Sequence, residues 1–245
     1  MKKVILSLLT ILLFSGLANA QTNPPEKKMA DLTSRPADHF ILQSGVDFLV
    51  GGNSDSVKTS GTGRHFNIYF MMDKPFRTNN KFSLAYGIGF GTNNQYIEKG
   101  TYVDLAQVAN TIRFRQLDSL ANRFDKQKVA TVYLQVPAEL RYYSNPATPA
   151  KSWKIAAGIK VGLLFKGYTK SKDFQTFNGT SLYGKTYVQK ISNKRFFTSN
   201  DISLTARAGY GIISMHASYS LTPVIREGYG PSFNRLSIGL SISGL

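Results

Sequence analysis

"SWKIAAGIKVGLLFKGY", residues 152–168, places Lys154, Lys160 and Lys166 six residues apart in an otherwise apolar run. An α-helix advances about 100° per residue, so steps of six scatter these charges about 120° apart and leave no clean face. A β-strand alternates sides at every residue, and all three lysines then share one side. The other side reads Trp153, Ile155, Ala157, Ile159, Val161, Leu163 and Phe165. The run is therefore predicted to be a strand, and at about fourteen residues it exceeds the usual length of five or six.

The same parity recurs along the chain. In 40–50, Leu42, Val46, Phe48 and Val50 oppose Gln43, Gly45 and Asp47; in 65–73, Phe66, Ile68, Phe70 and Met72 oppose His65, Asn67, Tyr69 and Asp73. Segments 82–91, 131–143, 152–166, 202–210, 213–221 and 233–243 alternate likewise, which predicts eight strands with one apolar and one polar or small face. A soluble sandwich also alternates, but three features separate the two architectures. The polar faces carry Asp47, Glu139, Arg141, Lys154, Lys160, Lys166, Arg207 and Arg235 among Gly, Ser and Ala, which suits the crowded interior of a small closed barrel. Aromatics gather near strand ends (Phe40, Tyr142, Tyr143, Trp153, Phe165, Tyr168, Tyr210, Phe233), as interfacial girdles do. The connections alternate in length: 51–64, 92–130, 167–201 and 222–232 are long, whereas 74–81, 144–151 and the Gly209-Tyr210-Gly211 reversal are short. The fold expected is an all-β, eight-stranded antiparallel transmembrane up-and-down barrel, with long extracellular loops and short periplasmic turns.

The rest of the chain agrees with an envelope protein. Lys2 and Lys3, the apolar run Val4 to Phe14 and Ala18-Asn19-Ala20 form a secretory signal peptide pattern with cleavage near Ala20. The residue after it is Gln21, not the Cys of a lipoprotein. The two leader lysines account for two of the formal +16, leaving +14. There is no cysteine, which excludes disulfide support and thiol chemistry. Residues 21–38 are polar and Pro-rich and are expected to form a flexible periplasmic lead, with the barrel domain over 39–245. Apolar positions at near-helical spacing in 104–124 suggest a short surface helix.

At "VYLQVPAELRYY", residues 132–143, the chain resembles the PorT-like outer-membrane β-barrel family, in which a strand of the form Tyr-Leu-x-x-Pro-x-x-Leu-(Lys/Arg)-Tyr recurs. Tyr133, Leu134, Pro137, Leu140, Arg141 and Tyr142 fit that pattern; "IAAGIKVGLLFKG", "ARAGYGIISMHASYSLTP" and "FNRLSIGLSISG" resemble its later strands. The resemblance implies a barrel in the outer membrane of a Gram-negative-type bacterium, placed there by the barrel-assembly machinery. It also implies either a structural role or an accessory role in type IX protein secretion. One departure is the terminus Ser243-Gly244-Leu245, where such barrels usually end on an aromatic residue.

Eight strands leave an interior just wide enough for side chains. A plugged lumen is expected, with Glu139 and Asp47 pairing some of Arg141, Lys160, Arg207 and Arg235, and with surplus cations hydrated at the rims. Loop 167–201 sets Lys170, Lys172, Lys185, Lys190, Lys194 and Arg195 against Asp173 and Asp201. Such basic loops attract lipopolysaccharide phosphates, or a protein or glycan partner, while nucleic acid is not expected outside the cell. His216 and Ser218, with Glu227 beyond, resemble the His-Ser-Glu set of eight-stranded lipid A deacylases, but their parity turns them inward. Only His39, His65 and His216 are present and no ligand spacing appears, so neither metal nor cofactor is expected. The favoured function is a non-enzymatic structural or accessory barrel, with a surface receptor or adhesin and a lipid A-modifying esterase as the alternatives.

Overall fold

In the computed structural model of the chain, the described residues are 39–51, 57–103, 105, 111–112, 114–118 and 121–244. The leader and periplasmic lead expected over 1–38 lie outside them. Eleven strands occur in this region: β1 (Phe40–Val50), β2 (Gly63–Pro75), β3 (Phe82–Ile97), β4 (Thr101–Val103), β5 (Phe114–Gln116), β6 (Arg123–Tyr143), β7 (Trp153–Gln175), β8 (Val188–Ser192), β9 (Asn200–Tyr210), β10 (Ile213–Ser220) and β11 (Asn234–Ser243).

Eight of these close into an antiparallel barrel. The hydrogen-bonded order β6-β3-β2-β1-β11-β10-β9-β7 is completed by β6–β7 pairing, and β8 adds to the upper part of β7. Each neighbouring pair is antiparallel. Closure satisfies the backbone groups of every spanning strand, the condition that hydrocarbon imposes. The sides segregate as parity demands. Outward Trp153 and Phe165 are each 64% exposed, and Ile68, Ile88, Val136, Leu163, Met215 and Leu240 share their band. Apolar side chains this exposed on every strand make sense only against acyl chains. At the periplasmic end Phe40 packs on Phe70, Phe82 on Tyr142 and Trp153 on Tyr210. At the other end Phe90 meets Phe165. No helix among the described residues is long and apolar enough to cross a membrane.

The short turns are as read, and Gly211 adopts φ +61° in the reversal between β9 and β10, a conformation that glycine takes without strain. The outer connections differ from expectation. Much of 92–130 and 167–201 is strand, because β3, β6 and β7 run on past the membrane to Ile97, from Arg123 and to Gln175. Alternation of apolar and polar residues fades there because the outward face is polar above the lipid and the buried inward face carries Gln127, Thr169, Ser171, Asp173 and Gln175, while the ladder itself continues. The helix expected over 104–124 lies partly outside the described residues; among those described no helix occurs, and 114–116 and 123–124 are strand, in β5 and the start of β6.

A β-bulge sits at the membrane's outer edge. Val132 pairs with Lys166 and Tyr133 with Leu164, so Phe165 is the extra residue. Beyond it the parity of β7 reverses, since one inserted residue exchanges the two faces. Lys166 is therefore exposed on the outer wall, correcting its expected place in the lumen with Lys154 and Lys160, and Leu164 turns inward in its stead.

Candidate functional site

The lumen is filled by charge in two levels. Nearer the periplasm, Glu139 Oε2 accepts from Arg141 Nε and from Arg207 Nη2, each at 3.0 Å. Asp73 Oδ1 lies 3.8 Å from Arg141 Nη1, and the Met71 sulfur accepts from Arg141 Nη2. Arg141 is only 2% exposed. At the outer level Arg235 Nη2 donates to Asp201 Oδ2 at 2.9 Å, and Ser220 donates to the other oxygen. Asp47 accepts from Ser237 and from Asn93 Nδ2 and bonds His65 Nδ1 at 2.7 Å. Lys154 and Lys160 are buried between and below, with Lys154 Nζ over the Tyr143 ring.

Asp47 and Glu139 thus have company that the sequence reading missed. Asp201, counted there as an acid of the basic loop, turns into the lumen from the top of β9, and Asp73 stands beside Arg141. Among the described residues, the carboxylates of Asp47, Asp73, Glu139 and Asp201 face the cations of Arg141, Lys154, Lys160, Arg207 and Arg235. Four carboxylates against five cations leave a surplus of one, smaller than expected, and Lys154 and Lys160 are buried rather than set at an open rim. Parity along 202–210 pointed to position 201 as inward; its place next to a long connection hid it.

The two lumen histidines meet through a row of close backbones. His65 pairs with Gly45, Gly45 with Gly239, and Gly239 with His216. No side chain projects between the rings, and His65 Nε2 reaches His216 Nε2 at 2.8 Å, one ring donating to the other. A Cβ at Gly45 would stand 2.2 Å from the Ile238 carbonyl oxygen and 2.8 Å from the His65 ring. The bonded line runs Asp47–His65–His216–Ser241, with Ser241 Oγ 3.1 Å from His216 Nδ1. Both nitrogens of His216 are engaged away from Ser218, and Glu227 is exposed in the outer loop 221–233. The esterase arrangement of His216, Ser218 and Glu227 is not assembled. Lipid A from cells with and without the protein is expected to show the same acyl number by mass spectrometry.

Space inside is scarce. A cavity of about 20 Å³ bounded by Gln43, Tyr69, Glu139, Lys160, Arg207 and His216 holds no more than about one water. Above the charged levels the outer mouth is closed by a second core. Val57, Ile97, Val103, Leu105, Ile112, Phe196, Phe197, Ile225 and Phe233 pack together from the outer connections, with Leu49, Val129 and Leu164 beneath. Two local devices hold this cap. The Gln127 amide bonds both the N–H and the carbonyl of Val103, tying β4 to β6. Phe197 seats on Gly167, where a Cβ would fall 2.4 Å from the ring.

Outside the cap, the extended ends of β6 and β7 with β8 form a blade. Five rings run along its tip in contact: Tyr102 with Phe124, Phe124 with Phe174, Phe174 with Tyr183, and Tyr183 with Tyr187. They line an open cleft of about 420 Å³ with Leu117, Asn122, Arg123 and Gln189. Nearby Asp173, the other acid of the basic loop, accepts from Ser181 and Gln175. These bonds, with Lys185 and Lys172 close by, hold its carboxyl below the usual carboxylate range. Among the described residues no cluster of His, Cys, Asp and Glu could hold a metal.

A lipid-facing apolar wall, a charged and filled lumen and a capped outer mouth define a small integral outer-membrane β-barrel. Residues 36–226 match the model of the outer membrane protein beta-barrel domain family, and the chain belongs to that family. Two solved structures of Ail, the attachment invasion locus protein of Yersinia pestis, are similar to this chain. The one in complex with the heparin analogue sucrose octasulfate shares 14% identity and the other 12%; both have a TM-score of 0.35 and cover 83% of this chain and 96% and 95% of their own. No curated protein matches the chain.

Proposed function

We propose that this protein is a sealed, non-enzymatic outer-membrane anchor that presents its β6–β7–β8 blade as a surface receptor or adhesin, with the aromatic cleft taking a saccharide. The observation that carries this is the cleft itself. Five rings in series, one of them Tyr183 at 67% exposure, bound a concave volume of ligand size beside Asn122, Arg123 and Gln189. Aromatic faces take the apolar faces of sugar rings, and the amides and guanidinium take hydroxyl groups.

The full-length protein in detergent, applied to a glycan array, is expected to bind a restricted set of saccharides. A Phe174→Ala/Tyr183→Ala variant is expected to lose them. An array that stays blank, together with crosslinks in the native membrane to secretion components only, overturns the reading. The sealed lumen is tested separately: reconstituted in a planar bilayer, the protein is expected to show no channel steps, and nanosiemens currents would contradict the plug.

A further inference from the structure

We infer that the outward wall of the blade, centred on Lys128, Lys170 and Lys190, is a binding site for the phosphate groups of outer-leaflet glycolipid. The three lysines occupy one row across three strands: Lys128 pairs with Lys170, and Lys170 with Lys190. Directly opposed residues on one face bring their Cβ atoms within about 5 Å, and like charges so placed destabilise a sheet. A second opposed pair, Lys126 and Lys172, stands just above, and Lys166 just below. Six lysines on adjoining strands are costly unless an anion sits among them.

The row is organised to hold one. Lys128 Nζ donates to Asn94 Oδ1 at 2.7 Å, and Lys190 Nζ lies 4.2 Å over the Tyr168 ring. Both amines are thereby fixed against the wall. Partial burial, with Lys170 and Lys190 adjacent, holds the Lys128 amine below the usual lysine range, so an incoming anion would be welcomed. The carboxylates of the same strands are turned elsewhere: Asp125 pairs with Lys99, and Asp173 is taken by Ser181 and Gln175. Glu98, one residue past β3, is exposed in the turn that follows, where its N–H donates to the Lys58 carbonyl.

Height selects the ligand. Lys166 follows Phe165 of the outer girdle, and Tyr168 and Lys170 come next on the same face. The row therefore faces sideways at the level of the lipid headgroups, not upward into solvent, and the phosphates at that level belong to the glycolipid. This site rests on the reading of the chain as an outer-membrane barrel but not on the saccharide cleft, so either can fail alone.

The full-length protein in nanodiscs, given bisphosphorylated lipid A or its dephosphorylated counterpart, tests the site by native mass spectrometry. Wild type is expected to retain the phosphorylated form preferentially. K128Q/K170Q/K190Q is expected to retain it on the order of 100-fold more weakly, since each basic residue near an anionic surface contributes about one power of five. Removing opposed charges should not harm folding, so heat-modifiable gel mobility is expected to be kept. Saccharide binding at the cleft should also be unchanged. Equal retention by wild type and variant, indifference to phosphate removal, or displacement by soluble dextran sulfate without any preference for the lipid each overturns the inference.

Discussion

Replacing Glu139 by alanine is expected to cost the barrel about 3–5 kcal/mol, because it removes the carboxylate that two buried guanidinium groups share. Glu139 Oε2 is shared by Arg141 and Arg207 at 3.0 Å each, beside a cavity that holds no more than about one water. Arg141 keeps Asp73 at 3.8 Å, whereas Arg207 loses the carboxylate it bonds. The loss should appear as a lower urea midpoint, followed by the mobility shift between folded and unfolded forms. A Glu139→Gln/Arg207→Met variant, which removes both charges and approximates their volume, is expected to recover much of it. If Glu139→Ala unfolds at the wild-type midpoint, the lumen pairs contribute nothing to stability.

Phe197→Ala is expected to cost a similar amount, about 3–5 kcal/mol, but locally. Phe197 is fully buried in the cap and seated on Gly167, so truncation leaves a cavity that the strand beneath cannot fill. The cap and the lumen pairs are separate cores, and loss of one need not melt the other. Limited proteolysis of the reconstituted variant should cut the outer connections 57–62 and 221–233 much faster than in wild type. The spanning strands should remain protected. Uniform resistance in both proteins would show that the cap does not hold the outer mouth.

Which parts of this were legible in advance follows from what each feature depends on. Parity in 152–163 reported the lipid on one side and the lumen on the other, because the period of two belongs to a single strand. The same rule failed at Lys166, since a bulge at Phe165 depends on the partner strand β6 and leaves no mark in β7. Nothing in the sequence marks the blade as strand, because above the girdle polar residues occupy both faces of β7. The lysine row was visible only as a basic segment; Lys128 lies far from Lys170 and Lys190 in sequence and joins them through register.

The chain's residues by themselves determined the architecture: eight alternating strands, an apolar outer band, inward charges and the side on which the long connections fall. These follow from local alternation, which water and lipid enforce on each strand separately. Only the tertiary structure decided which charges meet, that Asp201 completes the lumen, that two histidines touch over a pair of glycines, and that the outer connections form a cap and a blade. Those outcomes depend on register between strands distant in sequence, and closure of the barrel is what sets that register.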